Sequence, residues 1–252
     1  MKFYIQQNIS EKDVQELINV FDKHNIQYQL FYHIPFDDSY PEIDETIPAF
    51  VYAASSVTDK VYNDYKTFMG VFAHTNDINL ETFFNNSPEL MWNEPLYMGK
   101  FKDFIITENE IFIRPLIDSK WIAGTVLTSE EFTDWKNKLE KIDFDFNENI
   151  FVSKIHMPKE EYRLFYVNHS FSTGSQYKKD YEQYKNNFVP NNIVDIANQF
   201  VEKNKIDLPK SFVVDVGLDE NHIGIIEVNG INNAGFYSID KEKLVLDLIG
   251  AN

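Results

Sequence analysis

Apolar and polar positions alternate along this 252-residue chain with two periods, one of strands and one of helices. Residues 2–5 read as a strand. Ser10-Glu-Lys-Asp13 then forms a capping box ahead of a helix carrying Val14, Leu17, Ile18 and Phe21 on one side. Residues 26–34 and 49–53 read as two further strands, 59–68 as a helix and 70–74 as a fourth strand. Between them, 37–48 holds two prolines and five acids and reads as a loop. This alternation predicts an open α/β unit over roughly the first eighty residues.

The pattern then changes. Residues 103–106, 110–115 and 121–126 read as strands separated by short polar turns. Thr128-Ser-Glu-Glu131 caps a helix running through Lys141, with Phe132, Trp135 and Leu139 inward. A central strand at 150–155 is followed by strands at 162–167 and 171–173, an amphipathic helix at 192–204, a hairpin and a closing helix at 241–248. No internal repeat, low-complexity tract or linker interrupts the chain, so two or three interlocked α/β layers are expected.

The hairpin carries the most chemistry. Its sequence, Phe212-Val-Val-Asp-Val-Gly-Leu-Asp-Glu-Asn-His-Ile-Gly-Ile-Ile-Glu-Val-Asn229, sets acids and an amide inside β-branched runs. With side chains alternating, Phe212, Val214 and Val216 share a core face with Ile226 and Val228. Asp215 and Gly217 then share the other face with Glu227 and Asn229. A five-residue turn at 218–222 sets Asp215 diagonally beside Glu227, whereas a four-residue turn sets the two acids on opposite faces. Two carboxylates and an amide oxygen on one rigid surface suit a hard cation such as magnesium. Any one of these acids alone is more simply a polar residue facing water.

Composition narrows the field. A formal charge of −17 argues against a nucleic-acid binder and against anionic membrane surfaces. Without cysteine there are no disulfides, thiolate nucleophiles or cysteine-held zinc. The opening residues are too polar for a signal segment, and no run reaches membrane-spanning length, so a soluble cytoplasmic protein is expected. The 14 Tyr and 22 Phe read as core and strand residues. Only two of the 23 basic residues are arginine, and both Arg114 and Arg163 fall inside apolar, strand-like runs. A charge there must be paired or face a ligand, and the guanidinium fork suits phosphate or carboxylate.

Three further segments stand out. Arg114-Pro-Leu-Ile-Asp118-Ser-Lys120 places cations at a strand end and on a turn, as the cover of a triphosphate requires. Ser153-Lys154 followed by Glu160-Glu161-Tyr-Arg163 joins acids able to accept ribose hydroxyls to a cation. Ser172-Thr-Gly-Ser175-Gln-Tyr177 reads as turn chemistry, compatible with a substrate loop. Neither G-x-G-x-x-G, G-x-x-x-x-G-K-[ST] nor G-x-S-x-G occurs, and the histidines show no zinc spacing, which disfavours Rossmann, P-loop, serine-hydrolase and zinc readings.

Over residues 85–252 the ordered set Arg-Pro-x-x-Asp-x-Lys, Glu-x-Arg, Ser-x-Tyr and Glu-x-Asn-x4-Gly-x-Tyr resembles the ATP-grasp superfamily. The likeness is to an uncharacterised clade with arginine at the usual phosphate-binding lysine. The resemblance implies an α/β (α+β) protein with an ATP-grasp fold: a pre-domain at 1–85, an ATP-covering subdomain at 86–155 and a metal-bearing subdomain at 156–252. By the same resemblance Asp215, Glu227 and Asn229 hold Mg2+, Arg114 and Lys120 contact the phosphates, and Ser153 and Lys154 lie on the adenine hinge. Glu161, or its neighbour Glu160, takes the ribose, and Arg163 faces the transferred phosphate or the acceptor carboxylate. The implied activity is ATP- and Mg2+-dependent ligation of a carboxylate to an amine, with amino acids or peptides as acceptors. A catalytically idle nucleotide-binding protein and a kinase on the same scaffold are the alternatives.

Overall fold

A computed structural model describes residues 1–34, 40–65, 78–117, 124–142 and 144–251. The expected strand at 70–74 and residues 66–68 of the expected helix at 59–68 lie outside these residues, as does Lys120.

The first sheet is parallel, in the order β2-β1-β3, with β1 at Lys2–Gln6, β2 at Tyr28–Phe31 and β3 at Ala49–Tyr52. Helix α1 (Glu11–His24) begins where the Ser10 side chain accepts from Asp13 N, and it ends at Asn25, whose left-handed backbone closes the last turn. Its buried Val14, Leu17 and Phe21 pack with Phe3, Ile5, Phe50 and Tyr52. The opposite face of the sheet, Tyr4, Val51 and Ala53, meets Val57 and Val61 of α2 (Ser55–Asp64).

The second sheet is antiparallel, in the order β4-β7-β5-β6: β4 Pro95–Lys100, β5 Glu110–Pro115, β6 Thr125–Thr128 and β7 Asn149–Ser153. One face (Ile111, Ile113, Ile150, Val152) packs with Phe132 and Leu139 of α4 (Ser129–Glu140), whose N-terminus carries the expected Thr128/Glu131 capping box. The other face presents Phe112, Arg114 and Phe151. The strand expected at 103–106 is not formed; Phe101–Asp103 make a short 3-10 turn, and the buried Phe101 and Phe104 pack against α4 instead.

The third sheet is antiparallel, in the order β10-β9-β8-β11-β12: β8 Glu160–Val167, β9 Ser170–Lys179, β10 Glu182–Asn186, β11 Phe212–Leu218 and β12 Ile223–Gly230. The strand expected at 171–173 is formed but runs on: residues 174–177, read from sequence as a turn, also belong to the interior of β9. Ser172 and Thr173 are buried and bonded: Ser172 Oγ donates to Asp247 at 2.7 Å, and Thr173 Oγ1 accepts from Asp240 N at 3.1 Å, whereas the buried Ser175 Oγ meets no partner among the described residues. One face of this sheet (Leu164, Tyr166, Phe212, Val214, Val216, Val228) buries Ile193, Ala197 and Phe200 of α5 (Asn191–Asn204). On the other, Phe165 and Val213 pack with Phe236 and with Leu244 and Leu248 of α6 (Lys241–Gly250). That apolar covering ends one row along the strands, at Asp215.

Candidate active site

The β11–β12 hairpin reaches the expected face by a different route. Its turn has four residues, because Leu218 pairs directly with Ile223. That length alone would place Asp215 and Glu227 on opposite faces. A bulge at Ile226 shifts the register, so that Asp215 lies directly across from Glu227 rather than diagonally. As a second consequence Ile225, not Ile226, joins the core with Val216, while the extra residue Ile226 lines a cavity.

One row of cross-strand partners therefore runs Ser175, Arg163, Asp215, Glu227 over β9, β8, β11 and β12. Arg163 grips Asp215 with both prongs, Nε to Oδ1 at 2.8 Å and Nη2 to Oδ2 at 2.6 Å. Arg114, on the second sheet, bridges to Glu227 with Nη1 3.1 Å from Oε2. Asn229 donates Nδ2 to Glu227 Oε1 at 2.9 Å, so its Oδ1 remains as an acceptor. Both lone arginines are thus paired with the two hairpin acids, two positive charges against two negative.

The electrostatics are uneven. Burial raises the Asp215 carboxyl to about 6; Arg163 opposes the rise and Glu227 adds to it. Burial alone would raise Glu227 as well, but Arg114, the Asn229 amide and Arg163 hold it below its ordinary value. Arg163 lies under two stacked rings, Tyr177 and Tyr237, whose centroids are 4.7 Å apart and 5.5 and 5.1 Å from its guanidinium. Tyr237 takes a left-handed backbone, φ 50°, unusual for so bulky a residue. In sequence Tyr177 was visible as the end of the Ser-x-Tyr motif and Tyr237 as the end of the last one, with no role attached to either.

Beside this row lies a cavity of about 140 Å³ between the second and third sheets. Phe112, Val126 and Phe151 form one wall, Ile225 and Ile226 another, and residues 155–158 close a third. Arg114 and Glu161 reach it from the predicted set. Glu160 faces the α5 side, bonded to Tyr162 and Gln176, which separates it from its neighbour. Glu161 itself accepts from Tyr177 at 2.5 Å and from Lys178 at 2.6 Å. Ser153 is buried and turned back to the carbonyl of Lys154 at 2.9 Å, and Lys154 is exposed beside an adjoining outer cavity. Neither lines the inner one.

Trp92 was missed entirely. Trp92 lies against the cross-strand pair Gly217 and Gly224, its indole over the first and its backbone over the second; a Cβ on Gly217 would stand 2.8 Å from the ring and 3.0 Å from Pro158. Trp92 Nε1 donates to His156 O at 2.7 Å, and the rings of His156 and His222 lie 4.3 and 4.9 Å away. Gly217→Ala should therefore push Trp92 into the cavity. We expect a loss of about 1–3 kcal/mol in urea unfolding, together with weaker ATP binding by calorimetry. Unchanged values in both would remove this contact from the account.

Among the described residues no three His, Cys, Asp or Glu side chains converge as a ready-made metal cage. Two carboxylates and an amide do fit magnesium, which keeps waters and shares itself with phosphates. A model of the ATP-grasp domain, R2K clade family 2, matches residues 97–246. The chain belongs to the ATP-grasp family. Among solved structures this ATP-grasp chain is similar to D-cycloserine synthetase DcsG, with 9% identity, TM-score 0.66, and 99% of this chain and 97% of that one covered. D-alanine–D-alanine ligase from Bacillus anthracis complexed with ATP gives 11%, 0.62, 99% and 96%. The ATP-grasp ligase PsnB, complexed with a phosphomimetic variant of its minimal precursor, Mg and ADP, gives 10%, 0.59, 99% and 96%. At these identities the likeness is one of fold. No curated protein matches the chain. No helix among the described residues is long and apolar enough to cross a membrane.

Proposed function

We propose that this protein binds ATP with Mg2+ and joins a carboxylate to an amine, releasing ADP and phosphate. The observation that carries the reading is the row of paired charges beside the cavity: Arg114 with Glu227 and Arg163 with Asp215. Four charges held in two neutral pairs form a site whose partners can be exchanged as a set. Phosphate oxygens would take the arginine forks, and the carboxylates so released would hold the cation with Asn229. Bound there, magnesium would offset the charge of the triphosphate. The base would enter the apolar cavity, Glu161 would face the ribose, and Lys120 would cover the phosphates.

In the reaction a substrate carboxylate oxygen bonds to the γ-phosphorus as the bond to ADP breaks. The amine then bonds to the acyl carbon, phosphate leaves, and the nitrogen gives up a proton. Arg114 and Arg163 favour both steps by facing the oxygens on which negative charge gathers. That DcsG is a synthetase and that D-alanine–D-alanine ligase and PsnB are ligases supports this reading over simple nucleotide binding.

An ADP-release screen over amino acids and peptides, run with hydroxylamine, tests it. We expect a hydroxamate of one carboxylate class. A stable phosphorylated alcohol would instead make the protein a kinase, and no ADP with any acceptor would remove catalysis. Arg114→Lys should still bind ATP but turn over at least about tenfold more slowly, because a point charge replaces a fork that bridges two sheets. Steady-state kinetics would check this, and a wild-type rate would make Arg114 structural.

A further inference from the structure

The inner cavity is lined by four residues with side-chain polar atoms besides its indole: Asn93, Arg114, His156 and Glu161. Three of these are engaged. Arg114 pairs with Glu227, Glu161 accepts from Tyr177 and Lys178, and His156 Nε2 lies 2.6 Å from Asp219 Oδ2. Asn93 differs, since its Oδ1 is buried and meets no hydrogen-bond donor among the described residues. A buried amide oxygen without a donor is uncommon, and an apolar cavity offers a water few partners.

The segment that carries Asn93 is held firmly. Met91 bridges in parallel to Ile225, and Trp92 N donates to Ile225 O at 2.8 Å, so residues 91–92 run along the edge of β12. The Trp92 indole is fixed by its contact with Gly217 and by the His156 carbonyl. Asn93 also borders the outer cavity lined by Pro95 and Lys154, which Arg114 does not reach. A ligand with its phosphates at Arg114 and its ring in the inner cavity would bring the ring toward this one unengaged acceptor.

We propose that Asn93 selects the base, its Oδ1 accepting a hydrogen bond from the exocyclic amino group of adenine. The proposal rests on the ATP reading and adds to it a residue that sets nucleotide preference. Adenine presents an amino donor at the position where guanine presents a carbonyl acceptor, so Oδ1 favours the first and repels the second. Purine riboside triphosphate, which lacks the amino group, separates the hydrogen bond from ring stacking.

The experiment titrates ATP, GTP and purine riboside triphosphate, each with Mg2+, into the wild-type protein and into Asn93→Leu. The wild type should prefer ATP to the purine analogue by on the order of tenfold, and Asn93→Leu should bind the two within about twofold of each other. Thermal unfolding of Asn93→Leu without nucleotide should match or exceed the wild type, because an apolar side chain of similar size replaces an unpaired amide. Asn93→Ala, which keeps the loss of the acceptor without the branched side chain, should show the same collapse of preference. An ATP-to-purine ratio unchanged by both substitutions, with binding retained, would overturn the proposal while leaving the ATP reading intact. Absence of binding of all three triphosphates by the wild type would overturn the ATP reading, and the proposal with it.

Discussion

Asp215→Asn should abolish ATP turnover, and its stability should improve relative to the wild type as the pH rises from 4 to 7. The first half follows from the placement of Asp215, 1% exposed and directly across the hairpin from Glu227, where a neutral amide cannot replace the charge that a cation needs. The second half follows from the direction of its titration. Burial lifts the folded-state carboxyl to about 6 from 3.8, Arg163 only partly offsetting the rise, so the native state binds this proton more tightly than the unfolded chain does. The stability linked to that proton is present in full below about pH 4 and is lost as pH rises through about 6. The wild type should therefore fall behind the Asn variant across that window, by on the order of 2–3 kcal/mol. Urea unfolding of both proteins at pH 4 and pH 7, with ADP release at pH 7, measures the two halves. A variant that turns over ATP at the wild-type rate takes Asp215 out of the site. A gap that widens on acidification reverses the sign of the electrostatic argument.

Arg163→Met should have the opposite character and cost about 3–5 kcal/mol at pH 8. Asp215 would keep its buried charge but lose both hydrogen bonds that answer it, and the Tyr177 and Tyr237 rings would lose the cation beneath them. The loss should shrink toward pH 5 as Asp215 takes up a proton. It should also shrink in the Asp215→Asn background, because the unanswered charge is then absent. A double-mutant cycle by urea denaturation reads this coupling. Equal losses in both backgrounds would mean that Arg163 stabilises the protein by packing alone.

Much of this site was legible in the order of residues. Acids inside the runs around Asp215 and Glu227 pointed to a shared face, and two arginines inside strands had to be paired or ligand-facing; both are paired, and with those same acids. Asp215 and Glu227 do share the expected face, but through a four-residue turn and a bulge rather than a five-residue turn. A bulge at Ile226 leaves no mark in composition, since the extra residue needs neither glycine nor a polar side chain. Turn length alone therefore gave a false choice between the two registers.

The strand at Glu182–Asn186 was invisible for a different reason. It lies at the edge of its sheet and is largely exposed, so no apolar period reveals it. Residues 174–177 misled because small polar side chains are the residues of turns, and only pairing with β8 on one side and β10 on the other makes them part of a strand. Gly217 and Gly224 could be seen as glycines in strands, but what they make room for, Trp92, lies far away in sequence. Ser153 and Lys154 were expected on a hinge, yet Ser153 turns back to the Lys154 carbonyl and Lys154 borders the outer cavity.

The most direct test is a crystal structure with Mn2+ and a non-hydrolysable ATP analogue, examined by anomalous scattering. The account predicts manganese about 2.0–2.2 Å from oxygens of Asp215, Glu227 or Asn229, with the Arg114–Glu227 and Arg163–Asp215 pairs opened and phosphate oxygens against the arginines. Nucleotide bound with both pairs still closed and no manganese at these three residues would contradict it.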